Sequence, residues 1–310
     1  RKSWKGTGDQ EDQKKWFEIT ENLAPTKFLG YENLESESKI ISIVQKDNNV
    51  KKLSNGQEGI IILNQTPFYG ESGGQIGDSG KIIFKNNEFK VTSTLKIFGS
   101  FFLHFGIVEK GDFSLGDNVK ASIDLFKRDL IKCNHSSTHL LHSSLRIILG
   151  NHVMQKGSLV NNEKLRFDFS HTEIINDNDI VKIENLVNKQ IKDNSIVSTK
   201  IVDHEQAINE GATALFGEKY GDKVRVVSMG SIVGENIFSK ELCGGTHVSY
   251  VGDIKKFKII NQSSVASGIR RIEAVTNKSV AEYNYKQTIL QKNKTDENIK
   301  KIQELILEIN

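Results

Sequence analysis

The chain contains 310 residues, of which 37% are hydrophobic and 26% are charged, and its formal net charge is +3 at pH 7. This length suffices for one large core or two smaller ones, and we expect two folded units. The balanced charge excludes a polybasic tail or an acidic tract as the means of binding a partner, so any contact with nucleic acid must be local. Two cysteines, Cys133 and Cys243, are too few for a disulfide framework and favour the cytoplasm.

The amino-terminal segment predicts a chain cut from a longer protein. Residues 1–22 combine Trp4, Trp16 and Phe17 with many charges, as at the end of a preceding domain. They contain neither an initiator Met nor the apolar stretch of a secretory signal. No apolar run in the sequence approaches the roughly 20 residues that span a bilayer, and we expect no membrane contact.

Residues 23–125 are predicted to form a small β-barrel or sandwich. Short runs of β-forming residues alternate there with Gly, Asn and Asp, and Lys85-Asn86-Asn87-Glu88 is typical of a hairpin turn. The predicted strands are Lys39 to Val44, Gly59 to Leu63, Lys81 to Phe84, Phe89 to Thr94, Phe101 to Val108 and Val119 to Ile123.

Residues 126–276 are predicted to form an α+β domain. A long helix follows Phe126, with apolar residues at spacings of three and four, and Gly150 ends it. Further on we expect a helix from Asp177 to Lys192, capped by Asp177 or Asp179. The predicted strands are Leu165 to Phe169, Ser195 to Val202 and Lys223 to Met229. Residues 277–310 predict the start of a helical hairpin or coiled coil.

Two pairs of residues carry the chemistry. His135 and His139 lie four apart on the predicted helix, so both imidazoles project from one face. Cys243 and His247 flank Gly244-Gly245, which permits a tight turn. Thiolate and imidazole ligands favour zinc over magnesium or calcium, and the four side chains predict one tetrahedral zinc site per chain. The alternatives are ordinary polar residues on a core helix, and Cys243 as a nucleophile paired with a histidine.

Both motifs belong to longer blocks that resemble a known family. Asn134-His135-Ser136-Ser137-Thr138-His139-Leu140-Leu141-His142 and Cys243-Gly244-Gly245-Thr246-His247 closely resemble the editing domain of alanyl-tRNA synthetase. Further blocks agree, namely residues 65–75, 155–160, 165–171, 214–221 and 268–274. The likeness runs from Trp4 to about Val275. Freestanding alanyl-tRNA editing proteins and the threonyl enzyme's editing domain share the two metal half-motifs.

The resemblance implies a fold and an activity. Residues 1–22 would end a tRNA-recognition domain, and a β-barrel would join a zinc-containing editing domain of the threonyl and alanyl second-additional-domain type. The implied reaction is zinc-dependent hydrolysis of tRNA(Ala) whose acceptor end carries serine or glycine. ATP and Mg²⁺ would serve an aminoacylation domain without a counterpart in this sequence. A homodimer through residues 277–310 is a further expectation.

The resemblance also suggests residues for the site. Gln155 matches a glutamine of the family's editing pocket, although it could merely decorate a loop. Thr138 and Cys243 are the other catalytic candidates, but a hydroxyl inside a helix often bonds back to the chain. Contacts to tRNA phosphates are expected from Arg166, Arg270, Arg271 and Lys156. Arg166 and Asp168 alternate on a predicted strand and could instead form an ion pair.

Two other functions stay open at this point. One is a zinc-stabilised tRNA-binding module without catalysis, and the other is a freestanding deacylase, against which the absent initiator Met argues. Gly73-Gly74-Gln75 is similar to the Gly-Gly-Gln of peptide-release factors, which also hydrolyse a tRNA ester.

Overall fold

The structure is a computed structural model that describes residues 10–214, 220–232 and 236–309. Residues 1–9 of the predicted first segment and residues 215–219 of the block 214–221 lie outside this part. Within it the chain begins with α1 (Gln10–Thr20), continues through a barrel, and then forms a mixed domain of helices and sheets.

Six antiparallel strands form a closed barrel, which confirms the predicted β-barrel. The order is β11, β7, β8, β9, β5, β2, and β11 pairs back to β2. In chain order the strands of this region are β1 (Lys27–Phe28), β2 (Glu35–Gln45), β3 (Asn48–Asn49), β4 (Lys52–Ser54), β5 (Glu58–Leu63), β6 (Gln65–Thr66), β7 (Gly80–Phe84), β8 (Asn87–Ile97), β9 (Phe101–Lys110), β10 (Asp112–Ser114) and β11 (Asn118–Ile123). The turn between β7 and β8 is Lys85-Asn86, where Lys85 takes a positive φ of 55°.

Helix α1 packs on the outside of this barrel. Trp16 is only 6% exposed and lies in an apolar cluster with Val44, Ile62 and Leu103 of the barrel strands. Phe17, on the same helix, is exposed and meets the edge of Phe98. The barrel itself therefore covers the tryptophan that we expected another domain to cover. That residues 1–22 end a preceding domain stays a prediction.

The remainder of the chain is α+β, as predicted. Its elements are α2 (Leu125–Leu149), β12 (Gln155–Val160), β13 (Leu165–Ser170), α3 (Asp177–Asp193), β14 (Ser198–Asp203), α4 (His204–Asn209), β15 (Lys223–Ile232), β16 (Asn236–Leu242), a 3-10 helix (Val251–Ile254), β17 (Phe257–Ala266), β18 (Ile269–Thr276) and α5 (Lys278–Ile309). One antiparallel sheet has the order β12, β13, β18, β17, and a second has the order β14, β15, β16. Apolar residues of α2, α3 and the four-stranded sheet share the main core of this domain.

Helix α2 contains many buried polar residues. Its N-cap is Asp124, whose side chain accepts from the Lys127 N–H, and it ends at Gly150 with a φ of 115°. The six consecutive residues from Asn134 to His139 are all polar and all buried. Buried polar groups cost free energy unless they are paired, so this stretch indicates a functional centre rather than ordinary core.

A buried ion pair fixes α2 against the barrel. The Arg128 guanidinium donates from Nε to Asp78 Oδ1 at 2.9 Å, and it also donates to the carbonyl oxygens of Gly30 at 2.8 Å and Pro67 at 3.0 Å. Arg128 is fully buried and Asp78 nearly so. These contacts determine which barrel loops face the buried polar stretch of the helix.

The predicted cap of the second helix is wrong by one or a few residues. Asn176 is the N-cap of α3, and its side chain accepts from the Asp179 N–H at 2.9 Å. Asp177 and Asp179 lie instead in the first turn, where carboxylates interact favourably with the helix dipole.

Helix α5 is 32 residues long and largely exposed where its side chains are described. Lys and Glu interrupt its apolar residues throughout. None of the helices in the described residues is both long and apolar enough to cross a membrane.

Candidate metal centre and adjoining cavity

The two predicted half-sites meet at one point. The potential ligand atoms of His135, His139, Cys243 and His247 all lie within 4.8 Å of one another. Cys243 Sγ is 3.5 Å from His135 Nε2 and 3.3 Å from His247 Nε2. His139 Nε2 is buried and has no hydrogen-bond partner among the described residues. Three imidazoles and one thiolate are a donor set that fits a tetrahedral zinc ion.

The two potential ligands on helix α2, His135 and His139, each have a side-chain partner at Nδ1, the ring nitrogen that faces away from the other ligands. His135 Nδ1 lies 2.7 Å from Gln75 Oε1, and His139 Nδ1 lies 2.7 Å from Glu241 Oε2. Such partners fix the tautomer of a ligating histidine and leave Nε2 free for a metal. The two rings stack with centroids 5.3 Å apart. The helix therefore presents two oriented nitrogen donors.

Gln75 comes from the barrel side of the molecule. It is fully buried, and its Oε1 also accepts from the Thr246 N–H at 2.9 Å while its Nε2 donates to Thr246 Oγ1. The likeness of Gly73-Gly74-Gln75 to the release-factor motif suggested a contact with substrate. The structure instead commits this amide to His135 and Thr246.

Glu241 also lies at this centre, although no pattern in the sequence pointed to it. It is 3% exposed and lies close to two imidazoles, since His142 Nδ1 is 2.9 Å from its Oε1. Burial opposes its ionisation, but His139 and His142 hold the pKa of Glu241 well below its usual value. Burial likewise opposes a charge on His139, yet Glu241 and Cys243 raise the pKa of His139 to about 10.

The loop that carries the other two ligands is packed tightly against α2. His247 Nδ1 lies 3.2 Å from Ser136 Oγ, and a Cβ at Gly245 would stand 2.1 Å from His135 Cε1. Burial, followed by the charge of His135, lowers the pKa of His247 to about 3. Burial would raise the pKa of the Cys243 thiol, but the three histidines lower it well below its usual value. The histidines therefore favour the thiolate, which is the form that binds metals.

A cavity of about 320 Å³ adjoins these four side chains. Elements from the barrel side and from the α+β domain both contribute to its walls. Thr138, Gln155 and Cys243, the three predicted catalytic residues, all line it. The other lining residues include Tyr69, Ser72, Lys96, Ser158, Lys223, Arg225 and Gly244.

The structure sharpens two of these three candidates. Thr138 Oγ1 donates to the Asn134 carbonyl at 2.9 Å, so its proton is used within the helix and only its lone pairs face the cavity. Gln155 begins strand β12 and is half-buried, which places it in a regular sheet rather than in a loop. These roles stay predictions.

The four residues predicted to contact tRNA do not line this cavity. Arg271 forms a two-pronged ion pair with Asp168 at 2.6 and 2.7 Å, and Arg166 Nε lies 3.7 Å from the same carboxylate. Lys156 and Arg270 lie on strands β12 and β18 of the same sheet. The cations at the cavity are instead Lys96, Lys223 and Arg225, for which the sequence offered no particular pattern.

Two known families match this chain, one over the β-barrel region and one over part of the α+β domain. Residues 1–126 match the family described as tRNA synthetases class II (A). Residues 224–273 match the family described as the threonyl and alanyl tRNA synthetase second additional domain. The second match contains Cys243 and His247, and the first contains Gln75.

Curated relatives cover almost the whole chain. It is 47% identical over 91% of its length to an alanine–tRNA ligase of Parvibaculum lavamentivorans. It is 46% identical over 90% of its length to the enzyme of that name in Rhodopseudomonas palustris, and 49% identical over 85% to that of Nitrosomonas europaea. The matched parts make up 32%, 32% and 30% of these proteins, so the chain spans about a third of their length.

Proposed function

The chain belongs to the alanine–tRNA ligase family, and from this premise we propose that it hydrolyses tRNA(Ala) mischarged with serine or glycine. The observation that carries the proposal is the cavity of about 320 Å³ beside four convergent metal ligands. Its volume is near the lower end of the ~300–1,000 Å³ typical of ligand pockets, which suits a small aminoacyl group. In this proposal, attachment of alanine with ATP and Mg²⁺ belongs to the part of the relatives outside the matched third.

We propose zinc as the metal, with one ion held by His135, His139, Cys243 and His247. The buried and unpartnered Nε2 of His139 supports this assignment, since such an atom lacks compensation until a ligand reaches it. Zinc held by all four side chains would organise the wall of the cavity, and it would supply Lewis acidity to a substrate's amino or hydroxyl group where one of these ligands gives way. Gln75, Ser136 and Glu241 orient the three imidazoles toward it.

The residues around the cavity provide the remaining functions. The Gln155 amide can both donate and accept, so it can hold a water molecule against the ester carbonyl. Thr138 contributes an acceptor only, because its proton is bound by Asn134. Lys96 and Lys223 place positive charge at the cavity, where it can attract the terminal phosphate and stabilise negative charge that develops on the ester oxygen.

Discrimination against alanine follows from polarity. A site that hydrogen-bonds the serine hydroxyl leaves buried groups unpaired when alanine is bound, and such mismatches can reject a substrate strongly. The polar lining of the cavity, with Ser72, Thr138 and Ser158, supplies suitable partners. Glycine lacks the hydroxyl, so this argument accounts for serine and not for glycine.

The test is deacylation of Ser-tRNA(Ala) and Ala-tRNA(Ala) by the zinc-loaded chain. We expect rapid hydrolysis of the first and little of the second, and we expect Gln155→Ala to slow the first by about 10²-fold, as for loss of one positioned donor. The matched control is Gln291→Ala, since Gln291 lies exposed on α5. A zinc-loaded chain that binds tRNA(Ala) but leaves the serine ester intact would overturn the proposal in favour of a binding module.

Three further expectations stay proposals. They are a homodimer through residues 277–310, a cytoplasmic location, and the domain bounds 1–22, 23–125, 126–276 and 277–310. The homodimer is supported by helix α5, which is long and leaves Ile289, Leu290 and Ile299 exposed.

A further inference from the structure

The loop between Cys243 and His247 is held from outside by two side chains. Arg225 Nη1 donates to the carbonyl oxygens of Cys243 at 2.9 Å and of Gly245 at 3.0 Å. The Tyr31 hydroxyl donates to the carbonyl oxygen between them, that of Gly244, at 2.7 Å. The guanidinium carbon also lies 4.3 Å from the centroid of the Tyr31 ring. Three consecutive carbonyls therefore face one interlocked pair of residues.

The opposite edges of these peptide units face the metal centre. Because a trans peptide is planar, its N–H points away from its carbonyl. The unit whose carbonyl meets Tyr31 has its N–H at Gly245, and this N–H lies 3.3 Å from Cys243 Sγ. The Gly245 carbonyl, which accepts from Arg225, belongs to the peptide unit whose N–H is that of Thr246. This N–H donates to Gln75 Oε1 at 2.9 Å. The outer contacts thus determine that N–H groups face the sulfur and Gln75.

Nothing within the loop would enforce this orientation. Residues 243–248 belong to no helix or strand. The Cys243 N–H donates to the Arg225 carbonyl at 3.0 Å, but among the described residues no ladder of backbone hydrogen bonds continues beyond it to fix the following peptide planes. Glycine populates positive and negative φ about equally, and a Cβ at Gly244 would meet no atom within 4 Å. A reversed peptide would aim a carbonyl oxygen at the thiolate, and two negative groups would then face each other.

We propose that Arg225 and Tyr31 are positioning residues that aim Cys243 Sγ at the metal and maintain its hydrogen bond from the Gly245 N–H. Hydrogen bonds to a ligand sulfur tune the metal that it binds. Partial burial raises the pKa of Tyr31, so its hydroxyl stays a donor at neutral pH. The inference rests on the proposed function only in taking Cys243 as a metal ligand.

The test uses the cobalt(II)-substituted chain, because the sulfur-to-cobalt charge-transfer band reports on the thiolate directly. Arg225→Lys keeps the charge, but its shorter side chain cannot place an amine where Nη1 donates to both carbonyls, and it lacks the planar guanidinium that lies over the Tyr31 ring. We expect a shifted and weaker band, and a 10- to 100-fold lower cobalt affinity in competition with a chelator, as is typical for loss of an outer partner. Tyr31→Phe should change the charge-transfer band and the cobalt affinity in the same direction, by a smaller amount. Arg146→Lys and Tyr285→Phe are the matched controls.

The outcomes separate positioning from mere structural support. The proposal is overturned if Arg225→Lys and Tyr31→Phe are both folded by circular dichroism and both keep the wild-type charge-transfer band and cobalt affinity. A lower melting temperature of these variants would not change that conclusion. Should Arg225→Lys fail to fold, Tyr31→Phe decides alone, since a shifted band supports the proposal and an unchanged one overturns it. Failure of the wild type to hydrolyse Ser-tRNA(Ala) would overturn the proposed function and leave the cobalt result intact.

Discussion

The two halves of the metal centre are built on different principles. His135 and His139 lie on α2, where the backbone alone places side chains four residues apart on one face. Cys243 and His247 lie in a loop without regular hydrogen bonding, and side chains from other elements hold them in place. The helix half is therefore encoded locally, whereas the loop half depends on contacts from distant parts of the chain.

This difference has an energetic basis. Ordering a residue costs about 1–2 kcal/mol of backbone entropy, and a helix offsets that cost through its own hydrogen bonds. The loop must recover it through contacts such as those of Arg225, Tyr31 and Gln75, which come from three separate regions. Variants of Arg225 or Tyr31 should act on the loop and leave the helix half unchanged, whereas a variant of Gln75 should act on both halves because Gln75 also contacts His135.

The largest effect should come from removing a ligand of the helix half. His139→Ala deletes one of the four donors, so we expect metal affinity to fall by more than the roughly 10–100-fold that loss of an outer partner costs. Metal content after dialysis and Ser-tRNA(Ala) deacylation measure it. His152→Ala, at an exposed histidine, is the control. Full metal retention by His139→Ala would show that His135 and the loop half suffice.

The next effect is a dependence of metal affinity on pH. Without metal, His139 keeps a proton up to its pKa of about 10, whereas the pKa of His247 is about 3 and that of Cys243 lies well below its usual value. Binding should therefore release one proton, and affinity should rise roughly tenfold per pH unit from neutral pH toward 10. A chelator competition series at several pH values gives the slope, and a slope of two protons would contradict this assignment.

The same shift predicts how the metal-free chain responds to pH. The pKa of His139 is raised above its unfolded value, so the stability that it contributes is complete below pH 6.5 and is lost as pH rises toward about 10. The lowered pKa of Cys243 acts in the opposite direction, because a thiolate in the folded chain gains stability as pH rises toward the usual pKa of the thiol. The metal-free Cys243→Ala chain lacks this opposing group and keeps Glu241 beside His139, so its thermal unfolding should begin at lower temperature at pH 9 than at pH 6.

The smallest effect should distinguish two serines on one helix. Ser136 Oγ contacts His247 Nδ1 and accepts from the Val248 N–H. Among the described residues, Ser144 Oγ bonds only within α2, to the Leu140 carbonyl. Both residues are fully buried. Loss of about 1 kcal/mol predicts a several-fold lower metal affinity for Ser136→Ala and no change for Ser144→Ala, measured by chelator competition. Equal affinities would mean that the loop does not need this contact.

The fold shows the same division between local and distant information. The barrel strands and helices α2 and α3 followed from apolar spacing and turn residues, because each has a buried face. Helix α5 also followed from apolar spacing, although its described side chains are largely exposed. Strands β12, β16, β17 and β18 were missed. Strand β12 contains Gly157 at an irregular register, and β18 begins with Ile-Arg-Arg, whose charges obscure the alternation. Pairing with neighbouring strands decides these segments.

The sequence by itself determined the ligand types, the spacing of His135 and His139, and the family likeness. These features depend on residue chemistry and on the helical repeat, both of which are local. Only the tertiary structure decided that Gln75 and Glu241 orient the two helix imidazoles, and that Arg225 and Tyr31 face the loop carbonyls. Those pairs are separated by 60 to 213 positions, apart from Arg225, which lies 18 positions before Cys243. Spacing along a chain carries no information about such contacts until the barrel and the α+β domain pack together.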